Sequence, residues 1–178
     1  MRVIAGEFRS RRLKTLRGMA LRPTPGRLRE SLFDVLAPRI QGCAFLDAYA
    51  GCGAVGIEAL SRGAARAVFI ESSRSAVQVI EENLAALAIR DRAEVVHGSV
   101  GNSLRRFPTD IVFLDPPFDD TSQYQVALTI LGEMCPPLVI VQHSPRLRLD
   151  EQYGGLHRTR VLRQGDNVLS FFTCASSP

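Results

Sequence analysis

The sequence predicts an α/β fold, a single domain built on a mostly parallel β-sheet with helices on both faces and closed by an antiparallel hairpin. Three observations carry this. Between residues 44 and 141, short apolar runs alternate with segments of helical period, as repeated strand-helix-strand units do. A glycine-rich loop, Gly51-Cys52-Gly53-Ala54-Val55-Gly56, separates the first of those runs from the first helix of the alternation. After residue 155 the rhythm changes to two strand-like runs, 156–162 and 168–173, around a Gly165-Asp166-Asn167 turn signal. A length of 178 residues suits one domain with a sizeable core.

In chain order, residues 1–20 mix short apolar groups (Val3, Ile4, Leu13, Leu16) with arginines and read as a small hairpin or extended arm. Arg22-Pro23-Thr24-Pro25 is a stiff linker, with Thr24 placed to cap a helix and Pro25 to open it. That helix is expected to run to about Leu36, because Leu28, Leu32, Phe33 and Leu36 recur at helical spacing, and Pro38 ends it. Strands are expected at 44–46, 67–70, 94–97, 111–114 and 138–141, and helices at 55–61, 75–87 and about 123–131. The organisation is therefore an N-terminal basic arm and helix, residues 1–40, followed by the α/β domain proper, residues 41–178.

Charge is unevenly placed. The net value is +4, yet residues 1–40 hold ten basic groups against three acids, which leaves −3 for the remainder. The asymmetry predicts phosphate contacts with a nucleic acid, made by Arg2, Arg9, Arg11, Arg12, Lys14, Arg22 and Arg29. Cys43, Cys52, Cys135 and Cys174 lack CxxC spacing, which argues against a zinc site and against a disulfide framework, and no metal is expected. No run of eighteen apolar residues and no signal-peptide core appears, so a cytoplasmic protein with no membrane contact is expected.

The chemistry is expected at Asp115-Pro116-Pro117-Phe118, which follows the apolar run Ile111-Val112-Phe113-Leu114 and so lies where a buried strand enters a loop. Two prolines make a stiff corner with fixed carbonyl directions. A carboxylate and a backbone carbonyl there can take both hydrogens of a planar exocyclic amine while Phe118 stacks on the ring that carries it. Such an amine is a poor nucleophile, because its lone pair is delocalised into the ring. Holding both N–H bonds favours the pyramidal geometry that exposes that pair.

The glycine loop alone does not choose its ligand. Its spacing, with Glu71 at the end of the next strand, suits a nicotinamide dinucleotide or S-adenosylmethionine, since an acid there can take two ribose hydroxyls. Asp47, at the end of the first strand, separates them: a carboxylate beside the loop repels a pyrophosphate and suits the cationic methionine end of S-adenosylmethionine. Ala50, Gly51, Gly53 and Ser72 complete the expected cofactor contacts. Ser99 stands where an acid often meets the adenine amine, and His143 follows the fifth strand, where a structural role is expected for it.

Several stretches together resemble the bacterial guanine-N2 methyltransferases of 16S ribosomal RNA, the D class of small-subunit enzymes. They are Met1-Arg-Val-Ile-Ala-Gly-Glu-Phe8, Arg22-Pro-Thr24, Arg27-Leu-Arg-Glu-Ser-Leu-Phe33, Phe45 through Ala64 and Phe113-Leu-Asp-Pro-Pro-Phe118. The resemblance implies a class I methyltransferase fold, a Rossmann-like seven-stranded sheet with its last strand antiparallel. It also implies S-adenosylmethionine as methyl donor and a guanine of small-subunit RNA as acceptor, within an assembling ribosomal particle; a monomeric enzyme is expected. By that resemblance Asp47, Gly51 and Gly53 surround the methionine part, Glu71 takes the ribose, and Asp115 to Phe118 hold the target base. Competing readings are an amine methyltransferase acting on adenine N6 or cytosine N4 of DNA or RNA, a nicotinamide-dependent oxidoreductase, and a catalytically silent RNA-binding module.

Overall fold

Period-two alternation in the strands divides the interior into two cores. The computed structural model describes residues 1–16 and 26–175. Its strands are β1 (Ala44–Ala48), β2 (Arg66–Glu71), β3 (Ala93–His97), β4 (Ile111–Leu114), β5 (Leu138–His143), β6 (Gln152–Tyr153), β7 (Leu156–Gln164) and β8 (Asn167–Cys174). Phe45, Phe69, Phe113 and Ile140 face one core, while Leu46, Val68, Val112 and Val139, each one residue away, face the other. Helices α1 (Gly26–Leu36), α2 (Ala54–Ser61) and α3 (Arg74–Leu87) cover the first face. Helices α4 (Val100–Ser103) and α5 (Thr121–Met134) cover the second.

The sheet order is β3-β2-β1-β4-β5-β8-β7-β6, parallel from β3 to β5 and antiparallel beyond. The α/β class and the closing hairpin are as expected. Among the described residues the sheet has eight strands instead of seven, because the two-residue β6 pairs Tyr153 with Leu156 at the outer edge. Two residues are too few to leave a periodic signal.

A second correction concerns sulfur. Cys135, the left-handed residue that ends α5, is bonded to Cys174 at the end of β8, with Cα atoms 5.3 Å apart across 39 positions of sequence. Spacing carries no trace of this pair, since only the return of β8 beside β5 brings the two together. Among the described residues, Cys43 and Cys52 are free, no cluster of three metal-ligating side chains occurs, and no helix is long and apolar enough to cross a membrane.

The N-terminal segment is a hairpin in outline, bridged at Arg2 and Arg12, and it is docked rather than loose. Val3, Phe8 and Leu13 are buried in the first core. Glu58 of α2, fully buried, accepts from the backbone N–H groups of Ile4 (2.8 Å) and Ala5 (3.0 Å) and from Arg62 Nε (2.8 Å). Arg29 is corrected here. Expected on RNA, it is 2% exposed, lies 3.7 Å from Glu58 and donates to the Arg2 carbonyl and to Met1 sulfur. It faces inward because it shares the Leu28-Leu32-Phe33 side of α1, all of it buried. Thr24 and Pro25, the expected helix opening, and Arg22 lie outside the described residues.

Candidate active site

The carboxyl ends of β1, β2 and β4 meet at one edge of the sheet, where open α/β sheets bind their ligands. The glycine loop leaves β1 there. Gly51 has φ +57° and nothing within 4 Å of where a Cβ would stand, so its surface is open to a ligand. Gly56 serves packing instead: a Cβ there would meet the Phe69 ring at 2.3 Å, so only glycine lets α2 lie this close to β2. Ala50 donates to the Ile70 carbonyl and accepts from Gly53 N–H at 2.8 Å, which ties the loop to β2 and fixes its turn.

Glu71 shapes the same loop from the next strand. One carboxylate oxygen accepts from Gly51 N–H and the other from Ser73 N–H, both at 2.8 Å. A carboxylate offers about four acceptor positions, so two remain toward the crevice. Beside it, His97 Nε2 donates to the Ser72 carbonyl at 3.0 Å. Ser99 is exposed and its hydroxyl is not used to cap α4, so it is available at the crevice wall.

Asp47 is 2% exposed and accepts from Gly56 N–H at 2.8 Å. Burial pushes its carboxyl well above the usual range; the Gly56 N–H opposes this, and the nearby charges of Asp115 and Glu71 add to it. Three carboxyl groups thus converge on one edge. A cationic ligand relieves their repulsion and a pyrophosphate worsens it, so these residues fit S-adenosylmethionine and disfavour a dinucleotide.

The corner after β4 is tied to the end of β1, from which this loop leaves. Asp115 N–H donates to the Ala48 carbonyl at 3.4 Å, and Asp115 and Phe118 are half-buried, Pro116 buried and Pro117 exposed. Asp120 N–H donates to the Pro117 carbonyl at 3.1 Å, closing a turn into α5. Asp115 therefore lies beside the end of β1, near enough to Asp47 for their charges to interact.

Sequence reasoning missed Tyr124. Its ring is buried in α5 and its hydroxyl lies 3.4 Å from the Pro116 carbonyl and 3.3 Å from the Gln142 carbonyl, so one hydrogen is shared between the corner and the end of β5. Burial, then the Asp115 charge, raises its pKa, so it remains a donor. A buried tyrosine needs a partner for its hydroxyl, which was the one available signal, but nothing local named that partner. Tyr49, in the loop after β1, reaches Gln123 of α5 at 3.0 Å and adds a second tie. His143 is structural, as expected: Nδ1 donates to the Ser144 carbonyl and Nε2 accepts from the Ser170 hydroxyl, both at 2.9 Å. Neither ring nitrogen is directed to a substrate.

The family described as conserved hypothetical protein 95 matches residues 1–173. This chain belongs to that family. Within reach of it, the rRNA methyltransferase candidate YlbH of Bacillus subtilis is 32% identical over 169 residues, 90% of this chain and 91% of its own. Ribosomal RNA small subunit methyltransferase D of Escherichia coli K12 is 45% identical over 120 residues, 66% of this chain and 60% of its own. Among solved structures, the methyltransferase candidate yhhF of Escherichia coli superposes with a TM-score of 0.87 at 33% identity, covering 99% of each chain. An RNA methyltransferase from Salinibacter ruber, in complex with S-adenosyl-L-homocysteine, shares the fold at a TM-score of 0.67 and 19% identity, covering 88% of this chain and 95% of that one. The class I methyltransferase fold expected for the conserved hypothetical protein 95 chain is thereby borne out.

Proposed function

We propose that this chain transfers a methyl group from S-adenosylmethionine to the exocyclic N2 amine of a guanine in small-subunit ribosomal RNA. Kinship with small subunit methyltransferase D supports the ribosomal RNA substrate. The observation that carries the amine is the Asp115-to-Phe118 corner, whose Asp115 is hydrogen-bonded to Ala48 at the end of β1, where the cofactor loop begins. We further place the enzyme in the cytoplasm, acting as a monomer on an assembling small-subunit particle.

When bound, S-adenosylmethionine supplies an electrophilic methyl group on a sulfonium. Glu71 would hold its ribose, Ser72 and Ser99 would face its adenine, and Asp47, Ala50, Gly51 and Gly53 would enclose its methionine part. The target base leaves its stack and lies on Phe118, as enzymes acting on a base require. Asp115 and the Pro116 carbonyl, which keeps a second lone pair beyond Tyr124, accept the two amine hydrogens. Positive charge grows on the amine as it attacks, and the Asp115 carboxylate stabilises it. The resulting cation sheds its proton readily, so no strong base is needed. In-line placement of amine and methyl carbon supplies much of the rate.

The test is mass spectrometry of ribosomal RNA nucleosides from cells with and without the gene. Loss of N2-methylguanosine, restored by the wild-type gene, is expected; loss of a methylated adenine or cytosine instead would refute the assignment. Asp115→Ala should lower turnover by about 10²-fold while cofactor affinity stays within a few-fold.

A further inference from the structure

Strand register places one arginine, Arg163, level with the catalytic corner. Leu114 of β4 lies opposite Val141, Val141 opposite Ser170, and Ser170 opposite Val161. Two residues further on, the next row is His143, Val168 and Arg163, at the height of Pro116 just beyond β4. Arg163 is thus three strands from the corner, about 14 Å at roughly 4.8 Å per strand. Arg146 sits in the turn that follows His143, whereas Arg160, opposite Phe171 and with its guanidinium 5.9 Å from that ring centre, lies on the other face of β7 and short of this edge. The Arg146 and Arg163 side chains are exposed, and the exposed Val161 is on the same face of β7 as Arg163.

The neighbouring charges leave Arg146 and Arg163 uncommitted to acidic partners. Arg158 is paired with Glu151 and donates to the Leu149 carbonyl. Asp150 and Glu151 precede β6, at the far end of β7, and Asp166 in the β7–β8 turn is the acid nearest Arg163 in sequence.

The N-terminal arm points its turn the other way. Arg11 donates to the Ala86 carbonyl near the end of α3, about 18 Å along that helix from the carboxyl edge at about 1.5 Å per residue. Glu7 and Phe8 N–H groups are anchored on Ser61, the last residue of α2, and Lys14 is paired with Glu82. Arg9 lies in that same turn, at the amino edge of the sheet.

We infer that Arg146 and Arg163 form the phosphate-contacting surface for the RNA strand that flanks the target guanine. The inference rests on the methyl-transfer reading above. A stacked strand rising about 3.4 Å per nucleotide covers the 14 Å from corner to Arg163 in about four nucleotides. Arginines at that distance hold the flanking backbone, fix its register and leave the flipped base to the corner, a division of labour between positioning and base contacts.

The experiment uses the full chain and small-subunit particles from cells lacking the gene, with transfer of labelled methyl and particle binding measured across salt concentrations. Arg146→Gln/Arg163→Gln should lower the slope of log affinity against log salt by about 1.5 units, at about 0.7 to 0.9 per phosphate. The KM for particles should rise tenfold or more, with kcat at saturation, cofactor affinity and melting temperature near wild type. Arg163→Lys should keep the salt slope, since it keeps the charge. Arg9→Gln/Arg11→Gln should leave both slope and KM unchanged. An unchanged slope in the double Arg146 and Arg163 variant, or a slope lowered only by the Arg9 and Arg11 changes, overturns the inference and returns RNA contact to the arm. A wild-type chain that transfers no methyl to any particle refutes the methyl-transfer reading itself, and the surface with it.

Discussion

Replacing Glu71 with Gln tests the cofactor crevice more sharply than removing the side chain, because the structure makes the exchange non-conservative. Both carboxylate oxygens accept backbone N–H groups, from Gly51 and from Ser73. Glutamine has one acceptor oxygen and one donor NH₂, so one of those two backbone donors must face another donor. On the ligand side, the two remaining acceptor positions become one. A hydrogen bond to a charged group is worth about 1.5–3 kcal/mol, so losing one ribose contact should weaken S-adenosylmethionine by about 10- to 150-fold. The side chain is half-exposed and water can replace the lost backbone contact, so stability should fall by only about 1 kcal/mol. Titration calorimetry with S-adenosylmethionine beside a melting curve reads both quantities. Binding by Glu71→Gln within twofold of wild type would show that the end of β2 does not hold the ribose. A collapse in stability larger than the loss in affinity would show that Glu71 serves the loop alone.

Three further perturbations probe the frame around the site. Glu58→Ala leaves the Arg29 guanidinium, 2% exposed, without its carboxylate, and should cost about 3–5 kcal/mol in urea unfolding; a loss under about 1 kcal/mol would mean that the arm is not held by this residue. Tyr124→Phe removes the hydroxyl shared by the Pro116 and Gln142 carbonyls, and should lower single-turnover methyl transfer by about tenfold with cofactor affinity unchanged; an unaltered rate would show that the corner is rigid without it. Burial, with Arg158 and Arg163 nearby, holds His143 below its ordinary pKa of 6.5 against the opposing Ser144 carbonyl. Below that pH the unfolded chain takes up a proton that the folded chain refuses. Stability should therefore be level above about pH 6.5 and decline as pH falls toward the folded value, and His143→Gln should flatten the decline; an equal decline in the variant would assign it to other groups.

The sequence by itself determined the parts of this protein that local period encodes. Alternation in Phe45-Leu46, Phe69-Ile70 and Phe113-Leu114 fixes two opposite faces for each strand, and so a sheet with helices on both sides. The glycine loop, Glu71 and the Asp115-to-Phe118 corner were legible because each is a short string at a strand end, and a parallel sheet gathers those ends at one edge. Tertiary structure alone decided what depends on a distant partner. Arg29 has the same side chain as Arg27, yet the docking of the arm on Glu58, more than fifty positions from Ile4, turns it from an expected RNA contact into a buried one. Tyr124 gained its role when β5 came beside β4, and Cys135 found Cys174 only when β8 returned antiparallel along β5. The same return set Arg163 level with the catalytic corner, since register across three strands is fixed by backbone hydrogen bonds between segments that no local pattern relates.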